Sequence, residues 1–300
     1  MLKAVFWNIS KESGNYSNIR SAIETMLKQW KLDVMFLADF NINQLLNSWE
    51  LPQGYSLFHP HHNRILTIFS SQQRITVNRL TLNETVLEFT DQLLVKKEDQ
   101  EWVFFLVHLK SKAGINNYTQ AKRIDKDLFH IHTYIKDHQK KSAIVAIGDF
   151  NIHPYDDKLL DVSMMRTTPN RLTALQTKLE LKQTLYHVVP MEQYVVASSE
   201  LYWNYNPTWA LFGDFFQQKN NFAPPASHYF DHENIYNNLN HQPWQMFDQI
   251  ILSYLAINSF QRKEFKLIDR MKNHIFYDSK TGKMNVEQYS DHLPLRFALE

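Results

Sequence analysis

The sequence holds no cysteine. Disulfides, thiolate metal sites and a cysteine nucleophile are thereby excluded, and the composition fits a cytoplasmic protein. Glycine is scarce, at 6 of 300 residues; a usual protein carries roughly 7%. Neither glycine-rich phosphate-loop signature occurs, so any phosphate chemistry would rest on side chains, with or without a metal, rather than on a cradle of backbone amides. No apolar run approaches the ~20 residues of a membrane-spanning helix. The opening MLKAVFWNIS reaches Asn8 after four apolar residues, too few for the apolar core of a secretory leader. An excess of one charge is missing as well. Lys and Arg number 32 against 31 Asp and Glu, with a pI of about 7.9, so bulk charge does not mark an avid binder of duplex nucleic acid.

What is present describes a folded chain. Hydrophobic residues make up 44% and charged residues 21%, with a mean hydropathy of -0.43, which is ordinary for a globular protein and wrong for disorder. No internal repeat stands out. Residues 2–7 (LKAVFW) and 32–39 (LDVMFLAD) read as buried strands around a helix that Ser17 would cap. That helix has Ile19, Ala22, Ile23, Met26, Leu27 and Trp30 on one face. The result is a β-α-β opening with a parallel pair. Residues 65–108 read as consecutive antiparallel strands, ILTIF, ITVNRLTL, TVLEF, QLLVKK and WVFFLVH. A long helix is predicted over 117–138, then strands at 142–148, 247–253 and 293–298. Residues 186–245 are rich in Tyr, Trp, Asn, His and Pro and resist any period; they read as an insertion. The expectation is one domain over 1–300 with two sheet layers and outer helices.

Polar residues recur where these strands end. Asn8 follows LKAVFW, Asp39 ends VMFLAD, His108 ends VFFLVH, and Asp149 and Asn151 follow AIVAIG. Asp248 opens a strand, and Asp291 and His292 precede one. Strand ends on one edge of a sheet converge. Each residue alone has an ordinary structural reading: Asp39 could cap a helix over 41–47, and Asp149 and Asn151 could form a turn. Together they form a kit of carboxylates, histidines and Asn amides. Carboxylates suit Mg²⁺ or Mn²⁺, a histidine backed by a carboxylate suits proton transfer or phosphate contact, and amides can donate to phosphoryl oxygens.

The set WNIS (7–10), FLAD (36–39), VHLKSK (107–112), GDFN (148–151), FDQIILS (247–253) and SDHLPL (290–295) resembles the endonuclease/exonuclease/phosphatase, or DNase I-like, superfamily, end to end and in family order. The resemblance implies an α/β fold, a four-layered α/β sandwich of two central mixed β-sheets flanked by helices. It implies a metal-dependent phosphoesterase using Mg²⁺, with Mn²⁺ as the other candidate. Asn8, Asp39 and Asp291 match metal-site positions. His108 matches a phosphate contact, Asp149 the residue that orients or deprotonates water, and Asn151 a transition-state donor. Asp248 matches the carboxylate that orients His292. The family usually carries Glu where this chain has Asp39, so the carboxylate reaches one methylene less far.

For substrate, the resemblance favours a nuclease acting on DNA or RNA. A phosphatase or a phospholipase-type esterase acting on a phosphorylated lipid or small molecule is the alternative, and an inactive binding module is a third reading. Lys110, Lys112 and Arg123 could hold a non-scissile phosphate. The aromatics of the insertion, Tyr202, Trp203, Tyr205, Trp209, Phe212, Phe215 and Phe216 among them, are expected mostly to pack into a core, with one or two left to meet a ligand.

Overall fold

The computed structural model describes residues 1–10, 15–47, 49–58, 65–80, 87, 89–111, 117–161, 164–176, 178–179, 201–211, 224–229 and 244–300. The opening is β-α-β. Strand β1 (Leu2–Asn8) runs parallel to β2 (Val34–Ala38), with helix α1 (Tyr16–Trp30) between them. The helix face expected from its spacing is the buried one. Its N-cap is Asn15, whose side chain accepts from Asn18 N, and Ser17 lies inside the first turn. Asn41, not Asp39, caps the short helix α2 (Ile42–Leu46).

Next come β3 (Tyr55–Phe58), β4 (Ile65–Ser70), β5 (Ile75–Arg79), β6 (Thr90–Lys97) and β7 (Gln100–His108). They are antiparallel in part, but not one continuous meander. β4 pairs with β2 and β3, whereas β5 pairs with β6 in the other sheet. A turn over 71–74, with Arg74 in the left-handed region at φ 51°, carries the chain from one sheet to the other. The expected TVLEF strand falls largely outside the described residues.

Helix α3 (Asn117–His138) then crosses to β8 (Ala143–Asp149), parallel to β7. Beyond it lie β9 (Thr167–Thr168), β10 (Lys178–Leu179), β11 (Leu201–Tyr202), β12 (Asn204–Tyr205), β13 (His228–Tyr229), β14 (Trp244–Gln245) and β15 (Asp248–Leu252). The final strands are β16 (Lys266–Leu267), β17 (Arg270–Met271), β18 (His274–Ile275), β19 (Tyr277–Asp278), β20 (Lys283–Met284) and β21 (Leu295–Leu299). Two large mixed sheets result, ordered β16-β21-β1-β2-β4-β3 and β5-β6-β7-β8-β15-β12-β9.

Strand alternation sorts the apolar residues into layers. Leu2, Ala4 and Phe6 of β1 meet Phe104 and Leu106 of β7 and Val145 and Ile147 of β8 in a core between the sheets. The opposite face of the first sheet packs on α1 through Val5 and Trp7. The opposite face of the second packs on α3 through Val103, Phe105, Ile124, Leu128 and Ile131. The order helix, sheet, sheet, helix is the four-layered sandwich expected.

The insertion is partly built into this frame. β12 joins the seven-stranded sheet. Tyr202, Tyr205 and Tyr229 are buried, as expected of most of its aromatics. Phe212, Phe215 and Phe216 lie outside the described residues.

Candidate active site

Alternation also explains why polar residues gather at one end of the inter-sheet core. Asn8 stands two residues beyond the inward-facing Phe6, His108 two beyond Leu106, and Asp149 two beyond Ile147; Asp248 stands two before Ile250. Each therefore continues an inward-facing row past the last apolar layer. Register aligns them, with His108 beside Asp149 across β7 and β8, and Asp248 opposite Asp149 across β15 and β8. The other sheet contributes Asn8, with Asp39 one residue past its neighbour Ala38 on β2. Asp291 and His292 enter just before β21. The end of the sandwich is thus closed by polar groups from both sheets.

Gly148 makes this approach possible. It sits in β8 at φ 150°, and a Cβ there would lie 1.8 Å from the Val107 carbonyl oxygen. Only glycine lets the two parallel strands close at this point.

The hydrogen bonds are short and mostly buried. His292 Nδ1 lies 2.8 Å from Asp248 Oδ2. Asn8 Nδ2 donates to Asp149 Oδ2 at 3.0 Å, and the Asn151 backbone N–H donates to Asp149 Oδ1 at 2.9 Å. The Asn151 amide donates to the Leu109 carbonyl at 2.8 Å, which leaves its second N–H for a ligand. Ser290 ties the segment together: its Oγ donates to the Asn8 carbonyl and accepts from His292 N. Trp7 Nε1 donates to the His292 carbonyl.

Charge follows from this geometry. Burial alone would lower the pKa of His292; Asp248, by charge and hydrogen bond, together with Asp291 and Asp149, outweighs it and carries the ring up to about 10. The ring is therefore an imidazolium at neutral pH, so its Nε2–H donates. The approach of Asn8 Nδ2 at 3.5 Å is then one of two donors side by side, not a hydrogen bond. Burial pushes Asp149 up to about 6, with the His292 charge opposing and Asp248 adding. Burial would also raise Asp291, but the His228 hydrogen bond and the charges of His292 and His228 hold it well below the usual carboxylate range.

The donor set fits a divalent cation. Asp149 and Asp248 place carboxylate oxygens within 4.8 Å of one another, and Asp291 lies as near His228; His292, with a proton on both nitrogens, is a neighbouring positive charge and not a ligand. Among the described residues, no Lys or Arg pairs with Asp149, Asp248 or Asp291, so imidazoles alone offset three carboxylates. Asp248 Oδ1 is buried without a hydrogen-bond partner, an arrangement that costs free energy unless a cation is close. Asp39 belongs to neither group. It sits half-buried, in the left-handed region at φ 48°.

Other expected residues stand further out. His108 and Lys110 are half-buried on and just after β7. Lys112 and the side chain of Arg123 lie outside the described residues. Sequence reasoning missed His228. Its ring centroid lies 4.2 Å from that of His292, and its Nε2 faces Asp291 Oδ2 at 3.4 Å. The signal was weak: one histidine among several in an aperiodic insertion, on a strand of two residues.

No protein-family model and no curated protein matches the chain in sequence. Solved structures do match in shape. D. rerio TDP2, in complex with a single strand DNA product, is 16% identical, with a TM-score of 0.57 over 100% of this chain and 98% of that one. An endonuclease/exonuclease/phosphatase family protein from Bacteroides thetaiotaomicron is 13% identical, with a TM-score of 0.53 over 99% and 97%. A mannosyl-6-phosphatase from the same organism is 14% identical, with a TM-score of 0.52 over 100% of both. Two face-to-face mixed sheets and these likenesses agree: the chain has a DNase I-like α/β sandwich fold, shared with an endonuclease/exonuclease/phosphatase family protein.

Proposed function

We propose that this protein is a metal-dependent phosphoesterase, and within that class a nuclease that cleaves DNA or RNA phosphodiesters. The observation that carries the reading is the Asp248–His292 pair set against Asn8 and Asp149 at the end of the sandwich. Asn8, Asp39 and Asp291 would hold a divalent ion such as Mg²⁺ or Mn²⁺, which when bound polarises a phosphoryl oxygen.

The remaining work falls to the chain's own groups. Asp149 accepts a proton from the attacking water; a pKa of about 6 suits a base working near neutrality. The Asn8 amide and the Asn151 backbone N–H fix its two oxygens, so the proton is taken at a set position. His292 is held protonated by Asp248 and donates Nε2–H toward charge developing on phosphate. The free N–H of Asn151 supplies a neutral donor on the same side. His108, level with Asp149 in the strand register, would meet a second phosphoryl oxygen.

Nucleic acid is favoured because D. rerio TDP2 shares the fold and was seen with single strand DNA product. The balanced charge favours single-stranded or short substrates over long duplex. A sugar phosphate is the other reading, favoured by the likeness to the mannosyl-6-phosphatase.

A panel of single- and double-stranded DNA, RNA, a sugar phosphate, a phosphoinositide and sphingomyelin, each with Mg²⁺, Mn²⁺ or EDTA, tests this. Cleavage of the nucleic acids, lost in EDTA and in His292→Ala, is expected. Turnover confined to the sugar phosphate would replace the nuclease reading. Inactivity of the wild type on every substrate in both metals would leave a binding protein on this fold.

A further inference from the structure

The Asp-His pair that closes the site has a second pair beside it. His228 is buried, at 5% exposure. Its ring lies against His292 at 4.2 Å and stacks on Phe247 at 5.4 Å and 27°. Its Nε2 faces Asp291 Oδ2 at 3.4 Å. Backbone pairing fixes this placement. His228 bridges His292 in antiparallel fashion, Tyr229 N donates to the Asp291 carbonyl, and Leu293 N donates to the Ser227 carbonyl. Ser227 Oγ in turn accepts from Asp248 N. The segment 227–229 is therefore a clamp on both Asp248 and the 291–293 segment, and it comes from the aromatic insertion.

We propose that His228 is a positioning residue for Asp291: its Nε2–H occupies Oδ2 and leaves Oδ1, which Ser290 Oγ approaches at 3.4 Å, for the cation, while its ring lies tilted at 46° against His292. This rests on the reading of Asp291 as a metal ligand. The carboxylate is about a third exposed and would otherwise sample several rotamers. Groups that hydrogen-bond a ligating carboxylate set its orientation, and losing them typically costs 10–100-fold in metal affinity. His228 touches neither the attacking water nor the scissile phosphate in this assignment, so its effect should reach turnover through the metal.

Calorimetric titration with Mn²⁺ tests the assignment without relying on activity. His228→Phe keeps a ring over His292 and removes the donor. His228→Leu gives the same comparison should the phenyl ring not fit. His228→Gln restores an N–H at nearly the same reach. The expected result is an affinity about tenfold or more weaker in His228→Phe and in His228→Leu, with most of it regained in His228→Gln. Saturating Mn²⁺ should restore kcat in His228→Phe. Wild-type affinity in both donor-less variants would overturn the positioning role alone and leave His228 as packing. No Mn²⁺ binding by the wild type, or binding unchanged in Asp291→Asn, would overturn the metal-site reading and this role with it.

Discussion

His292 concentrates the electrostatics of the site in one ring. It is buried, yet three carboxylates face it, so its pKa rises from the ordinary 6.5 to about 10. The folded state therefore binds this proton more tightly than the unfolded state. The resulting stabilisation is complete below pH 6.5 and is lost as pH rises through about 10. In metal-free protein the His292 ring signals should not titrate between pH 6 and 8 by NMR. In Asp248→Asn burial, which favours the neutral ring, faces a weaker counterweight, and the ring should begin to titrate within that range. A wild-type ring that titrates near 6.5 would contradict the assigned imidazolium. Asp149 behaves in the opposite sense for catalysis: burial raises it to about 6, so activity should fall on the acid side as its base form is lost.

At the scale of elements, the site is what remains when four inward-facing rows run past the apolar core. Gly148 is the position where that design is least tolerant. Gly148→Ala would drive a Cβ into the Val107 carbonyl, so β7 and β8 must part and His108, Asp149 and Asp248 lose their common level. A destabilisation above about 3 kcal/mol, or no cooperative unfolding at all, is expected in urea titration, because backbone rather than a flexible side chain must give way. A variant as stable as the wild type would show that the strands can separate cheaply.

Much of this was legible in the sequence. Continuous apolar runs that end in Asn8, His108 and Asp149 mark both the buried strands and the ends at which the polar residues gather. The α1 face and α3 were visible from their spacing. Long-range pairing was not. Nothing local tells β4 to leave the run 65–108 for the other sheet, or brings Asp248 opposite Asp149. Two-residue strands such as β13 have no period to read, and His228 was missed for that reason. The cap of α1 was misplaced by two residues because Asn15 and Ser17 are both competent N-caps.

As a whole, the molecule is a sandwich whose interior is apolar for most of its depth and polar at one end. Among the described residues, no helix is long and apolar enough to cross a membrane. The near-equal charge count leaves the molecule without a net positive field to draw in a polyanionic substrate. The most direct measurement is hydrolysis of the chromogenic diester bis(p-nitrophenyl) phosphate in Mn²⁺ by the wild type, Asp149→Asn and His292→Ala, with folding checked by circular dichroism. Turnover by the wild type, abolished by EDTA and about a hundredfold or more slower in each folded variant, is expected if the polar end of the sandwich is the reaction centre. Equal rates in wild type and variants would place the chemistry elsewhere and contradict it.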